Sequence, residues 1–382
     1  MTDDENRRAP GLRHSSFVIR HSKGRLLPSA AAAKISFAPF APFVVQQHPH
    51  MPTKLRAWLQ LFRFPNLFTV PGDPLAGFLI ATGGRLDTRA LCAVLASLAF
   101  YAAGLAMNDL ADFAEDKSER PKRPLPSGAI PRGTAWFVTV NLILLGLALC
   151  FLAGPQALLM GIGTVMGVVL YNFITKKIPV IGALNMGVCR GMSLLLGAAA
   201  GLGPDPQMLD AASKLDVFLP ALSAMLVALA PSSGQRFFVF AIGAALLIAI
   251  YIAAVTNLAR FETRRDYPKL ARLLPLAALL IGFVILKQAT DTLLRDQSPA
   301  LWLVAIMLCA MNTADIMREP PAPLPPRIGA FIRIMPVLQA ALCVLPSVPG
   351  PLRKTPASLL VALALLACVP IHGWLGKKFY AS

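Results

Sequence analysis

Charge is scarce in this 382-residue chain: Asp, Glu, Lys and Arg supply 14% of it, where an ordinary soluble domain carries about 25%. That shortage excludes a soluble globular protein. Acids are rarer still, 19 against 36 Lys and Arg, which leaves a formal charge of +17. The excess does not read as nucleic-acid binding, because the basic residues sit in short blocks between apolar runs rather than along one face or tail. Cysteine is equally thin. Cys92, Cys150, Cys189, Cys309, Cys343 and Cys368 are scattered singly, without CxxC spacing or nearby histidine pairs, which argues against a disulfide framework or a zinc site and for small apolar residues.

Apolar residues fill the gap: they make up 56% of the chain, and the mean hydropathy is +0.62. A bilayer core about 30 Å thick needs roughly 20 apolar residues per helix. Such runs occur at 67–82, 90–108, 134–153, 156–173, 180–202, 237–257, 273–286, 300–316, 328–345 and 357–373. The expected fold is therefore all-α, a polytopic membrane bundle of about nine to ten transmembrane helices. The run 215–230 is short and contains Pro220, so it reads as a peripheral or re-entrant helix. Residues 1–50 mix charge, Pro, Ser and His without periodicity and read as a disordered extension. A basic amphipathic stretch follows Met51, which makes Met51 a candidate physiological start and 51–382 the transmembrane domain.

Lys and Arg accumulate in short cytoplasmic loops. Placing Lys54, Arg56 and Arg63 inside puts the basic loops 109–133, 175–179, 258–272 and 317–327 on the same side. The loop around Asp205, Asp210 and Asp216 then lies outside, with Arg353 and Lys354 a small violation in the last outside loop. The localisation implied is the cytoplasmic membrane, with the site toward the cytoplasm.

The segment that carries chemistry is Asn108-Asp-Leu-Ala-Asp112-Phe-Ala-Glu-Asp116, at the inner end of an apolar helix. On a continuous helix Asp109, Asp112 and Asp116 fall within an arc of about 60°, and Asn108 widens it to about 100°. Carboxylates this close repel unless a cation neutralises them, and an all-oxygen set suits Mg²⁺. Acids at a helix C-terminus also oppose its dipole, which disfavours a merely solvated helix end. Arg120-Pro-Lys-Arg123-Pro-Leu-Pro-Ser-Gly128 follows at once, a Pro-stiffened basic loop suited to a polyanion. Arg190, inside an apolar run, is costly unless it faces a cavity or a partner. Asp315, near a helix end, is a weaker candidate that can simply snorkel.

Asn108-Asp-x-x-Asp112-x-x-x-Asp116 together with Arg123-Pro-Leu-Pro-Ser-Gly128 resembles the first signature of the UbiA prenyltransferase superfamily. Arg63-Phe-Pro-Asn66, Tyr171-Asn172 and Lys176 add to the likeness. The resemblance implies a helical bundle of typically nine spans around a cavity open toward lipid. It further implies two Mg²⁺ holding an isoprenyl diphosphate, one of them carried by Asn108, Asp109, Asp112 and Asp116, with Arg123 and Lys176 neutralising the diphosphate. The family's second acidic motif is usually a DxxxD-type cluster. The corresponding loop here reads Val255-Thr-Asn-Leu-Ala-Arg260-Phe-Glu262, which leaves Glu262 as the single carboxylate near that point. Glu262 is open to a metal or to orienting Arg260, and Arg260 to the place of a second cation. This loop and Asn185-Met-Gly-Val-Cys-Arg190-Gly are most similar to the EboC-like branch.

The implied activity is Mg²⁺-dependent transfer of a prenyl group from a prenyl diphosphate to an aromatic or other electron-rich acceptor. Asp112, Asp116, Arg123 and Lys176 would be catalytic, and Asn66, Tyr171, Asn172, Arg190, Arg260 and Glu262 substrate-binding. The competing reading is a non-catalytic carrier or scaffold for a prenylated or phosphorylated precursor, suggested by the altered second motif.

Overall fold

The computed structural model describes residues 53–202, 233–262, 268–289, 298–318, 323–344 and 356–380. The extension before Met51, the 215–230 run, the outer Asp205, Asp210 and Asp216, and Arg353 with Lys354 lie outside them. The described elements are helices: α1 (Thr53–Leu61), α2 (Phe64–Leu67), α3 (Gly72–Thr82), α4 (Thr88–Ala111), α5 (Phe113–Glu119), α6 (Arg132–Ala153), α7 (Pro155–Phe173), α8 (Ile181–Leu202), α9 (Ser233–Ala259), α10 (Lys269–Ala289), α11 (Ser298–Met317), α12 (Leu324–Arg333), α13 (Met335–Cys343) and α14 (Pro356–Tyr380). A 3₁₀ turn, Thr175–Lys177, joins α7 to α8. Among the described residues there is no strand.

Among the described residues, eight segments are long and apolar enough to cross a membrane: Thr88–Ala111, Arg132–Ala153, Pro155–Phe173, Ile181–Leu202, Phe240–Ala259, Ala300–Met317, Leu324–Cys343 and Pro356–Leu375. The expected 273–286 helix is present as α10, 21 residues or about 31 Å long. The expected 67–82 span is not a span. It breaks into α2 and the 11-residue α3, about 16 Å long and half the hydrocarbon thickness. Pro71 begins α3, and Gly83 ends it in the left-handed region at φ 65°. The expected 328–345 helix is likewise broken, α12 giving way to α13 at Ile334, where Pro336 starts the new helix.

Large apolar side chains face outward on several spans: Phe137 is 68% exposed, Phe151 70% and Leu363 62%. An apolar exterior of that extent fits lipid, and the structure is that of a multi-pass integral membrane protein. Polar groups turn inward instead, with Asp73, Arg190, Arg272 and Gln339 all buried. Without a hydrophobic drive between helices in lipid, close backbone approach has to hold them together. The glycines of α8 supply it. A Cβ at Gly197 would collide with the Pro74 carbonyl of α3, and one at Gly187 with the Ala249 carbonyl of α9. From the α3 side, a Cβ at Gly77 would collide with the Leu194 carbonyl of α8. Small residues therefore clamp α8 between α3 and α9. Helices α6 and α7 form a hairpin joined by Gly154 alone (φ 131°, ψ 165°), with Pro155 opening α7.

Candidate active site

The acidic helix end does not continue as one helix. Helix α4 stops at Ala111, Asp112 adopts φ −90°, ψ 8°, and α5 starts afresh at Phe113. Arg132 stacks on the Phe113 ring at 4.3 Å and ties α5 to the start of α6. The break divides the expected single carboxylate face into two ion-paired sets. Asp112 bonds Lys176 Nζ at 2.5 Å. Asp116, only 2% exposed, takes Arg123 Nη1 at 2.6 Å and lies 3.7 Å from Arg120. The same Arg123 nitrogen is 3.8 Å from Asp109 Oδ1, so one positive group sits between two buried carboxylates. Asn108 Nδ2 lies 3.5 Å from Asp109 Oδ1. Among the described residues, no three or more His, Cys, Asp and Glu side chains form a group that could hold a metal ion.

Arg63 joins this cluster 3.9 Å from Asp109. Its backbone occupies the left-handed region, φ 44°, a conformation that costs a non-glycine residue on the order of 1–3 kcal/mol. Such strain is retained here at the residue that caps α2 and turns a guanidinium toward the acids. The 3₁₀ turn carrying Lys176 is held from α8, where Asn185 Nδ2 donates to Thr175 Oγ1 at 2.8 Å.

A cavity of about 250 Å³ opens beside the cluster. Arg63 and Asn108 stand at its charged end, Tyr171, Asn172 and Arg190 along its wall, and Phe100, Ser97 and Ser193 farther in. Ser97 is eleven residues before Asn108 on the same helix, about 16 Å deeper. The hydroxyls of Ser97 and Ser193 bond each other. Asn172 Nδ2 donates to the Val168 carbonyl at 2.9 Å, and its buried Oδ1 has no partner.

Of the sequence candidates, Asn108, Tyr171, Asn172 and Arg190 line the cavity, while Asp109, Asp112, Asp116, Arg123 and Lys176 form the ion-paired cluster. Asn66 stands apart, its Oδ1 paired with His372 Nε2 at 3.2 Å. Arg260 bonds Asn257 Oδ1 at 3.4 Å. Glu262 faces the cluster: partial burial pushes its carboxyl above the ordinary 4.5, and Arg63 and Arg120 pull it back down. Asp315 pairs locally with Arg327 at 2.5 Å and Arg318 at 3.5 Å.

Three residues escaped the sequence reading. Arg63 was read only as part of a motif. Asp73 is fully buried and pairs with Arg190 at 2.8 Å; the available signal was an acid in one apolar run matching a base in another. Asp266, outside the described residues, follows Glu262 as Glu262-Thr-Arg-Arg-Asp266. That keeps the carboxylate spacing of a DxxxD motif, so Glu262 is not the loop's single carboxylate.

A family profile described as "UbiA prenyltransferase family" matches residues 74–230. Digeranylgeranylglyceryl phosphate synthase of Saccharolobus solfataricus is 30% identical over 148 residues, 38% of this chain and 52% of that protein; the chain spans about half the length of the curated relatives it matches. The apo structure of a UbiA homolog from Aeropyrum pernix superposes with a TM-score of 0.53 at 16% identity, covering 73% of this chain and 97% of the other. A UbiA homolog from Archaeoglobus fulgidus, solved bound to GPP and Mg²⁺, gives 0.50 at 16% identity, covering 76% of this chain and all of that one. The UbiA-like fold expected from the signature is borne out, and so is the resemblance to the superfamily.

Proposed function

We propose that this protein is an intramembrane prenyltransferase, residues 51–382 forming its catalytic domain, and that its site faces the cytoplasm. The observation that carries the reading is the joining of an acid-and-base cluster to a cavity that runs on between membrane helices. A diphosphate needs the first part and an isoprenyl chain the second. By donor chemistry Asn108, Asp109, Asp112 and Asp116 would suit Mg²⁺ once drawn together; as they stand Asp112 is paired apart with Lys176, and the position between Asp109 and Asp116 accommodates a cationic group, that of Arg123. Mg²⁺ bound there would neutralise the diphosphate and make it a better leaving group. Glu262 and Asp266 are candidates for a second ion.

Arg123 and Lys176 lie on carboxylates. Were a metal held by the acids, these two cations and Arg63 would be freed to bind the diphosphate oxygens and stabilise charge as it develops. The allylic C–O bond breaks with its electron pair leaving on diphosphate. An electron pair of the acceptor forms the new bond to the first prenyl carbon, and the acceptor sheds a proton. Tyr171, on the cavity wall, would help keep water from that carbon. Tyr171, Asn172 and Arg190 contact substrate inside the cavity, whose described lining does not include Asn66 or Arg260.

Support for the donor class comes from the homolog bound to GPP and Mg²⁺. The archaeal relative's name describes a glyceryl phosphate product; for this chain an aromatic or other electron-rich lipophilic acceptor is preferred, within an EboC-like branch marked by Arg190 and Arg260. The test is product analysis by mass spectrometry after incubation with geranyl diphosphate, Mg²⁺ and a panel of lipophilic acceptors. Prenylated product that disappears in Asp116→Ala supports transfer. Tight donor binding without product from any acceptor favours the carrier reading.

A further inference from the structure

The cavity wall carries a second polar feature, far from the acids. Tyr101 lies seven residues before Asn108 on α4, about 10 Å deeper, and the Arg190 guanidinium sits 5.8 Å from its ring. Arg190 is 7% exposed and lines the cavity. Its Nη2 donates to the Thr69 carbonyl at 2.6 Å and pairs with Asp73 at 2.8 Å. Gln339 Nε2 donates to Asp73 at 2.6 Å and to the same Thr69 carbonyl at 2.8 Å. Three helices, α3, α8 and α13, thus converge on one charge-neutral network.

A purely structural staple would use up its donors, since buried polar groups are nearly always paired. This one does not: Arg190 lines the cavity, and its Nη1 takes no part in the network. A guanidinium has five N–H groups, and the bonds to protein here run through Nη2 alone. Ser97 and Ser193 add hydroxyls to the same cavity. An isoprenyl chain has nothing to offer these groups, and the diphosphate belongs at the other end.

We infer that Arg190, held from behind by Asp73 and Gln339, presents an acceptor subsite that receives a neutral oxygen-bearing group, a hydroxyl or carbonyl, and disfavours an anionic one. This rests on the prenyl-transfer reading and assigns the acceptor's chemical class. A neutral oxygen accepts from Arg190 without disturbing the ion pair. A phosphate or carboxylate brings a second negative charge beside Asp73, with the network's cation, Arg190, already matched, and would have to be desolvated without a partner in that network. The subsite thereby separates this chain from an enzyme that takes a phosphate-bearing acceptor.

The test is equilibrium binding to the detergent-purified full chain, with the donor site saturated by Mg²⁺ and an unreactive thiolodiphosphate analogue of geranyl diphosphate. The probes are a long-chain alkylphenol and the phosphate monoester of the same alkylphenol. The phenol is expected to bind about tenfold tighter or more. In Asp73→Asn, which leaves the Arg190 charge unmatched, that ratio is expected to fall by about tenfold. Equal or tighter binding of the phosphate ester to the unaltered protein would overturn the inference, as would an unchanged ratio in folded Asp73→Asn. Should that variant not fold, the comparison on the unaltered protein decides alone. Diphosphate release from geranyl diphosphate is scored separately. Release with no phenol preference defeats the subsite only, and a phenol preference without release from any donor defeats the transfer reading only.

Discussion

Removing Arg123 should destabilise the ligand-free protein through the carboxylate it leaves behind. Asp116 is 2% exposed, and its short ion pair is the 2.6 Å bond to Arg123; Arg120 stays 3.7 Å away. Breaking a buried pair from one side costs about 3–5 kcal/mol. Arg123 is itself 30% exposed and Arg120 remains, so Arg123→Met is expected to cost about 2 kcal/mol. Asp116→Asn removes the charge that would be stranded, so the double variant should be more stable than the sum of the singles predicts, by about 1.5 kcal/mol. Calorimetric unfolding of the four proteins in detergent without Mg²⁺ measures this coupling. Adding Mg²⁺ and geranyl diphosphate should shrink it, because Arg123 then exchanges Asp116 for diphosphate. Additivity within about 0.3 kcal/mol in the ligand-free proteins would refute the pairing.

Three further outcomes follow from the packing and charge. Gly154→Ala forces a side chain into φ 131° with only Gln156 Oε1 near, at 3.7 Å, so it should lower stability by about 1–3 kcal/mol through backbone strain, read as a fall in thermal midpoint. Gly197→Leu should prevent assembly of the bundle, because its Cβ already meets the Pro74 backbone; recovery of monodisperse protein by gel filtration at normal yield would contradict the clamp. Glu262 has a raised carboxyl pKa, so the folded state holds its proton more tightly than the unfolded chain. Its ionisation therefore erodes stability as pH rises upward from 4.5, and Glu262→Gln should flatten the stability profile over that range.

Most spans were legible because the bilayer fixes helix length and forbids exposed backbone. The apolar runs at 90–108, 134–153 and 156–173 map onto α4, α6 and α7 with small shifts at their ends. Hydropathy failed at 67–82, where apolar content continues across Pro71 while the backbone does not. It failed again at Asp112, since an unbroken helical projection cannot register a turn set by the packing of Phe113 under Arg132. The cluster's membership was legible from its spacing; its pairing was not, because Lys176 reaches Asp112 across 64 residues of chain. Asp73 stayed hidden for the same reason: its partners Arg190 and Gln339 lie on helices distant in sequence, and only folding brings the opposite charges together.

The most direct test of the central claim is release of diphosphate from geranyl diphosphate by the detergent-purified protein, with and without Mg²⁺, beside Asp112→Ala and Arg260→Ala. Transfer chemistry predicts Mg²⁺-dependent release that Asp112→Ala abolishes, with Arg260→Ala weakened if its guanidinium reaches the diphosphate. No Mg²⁺-dependent release from geranyl diphosphate or any longer allylic donor, in protein that still binds them, would contradict it.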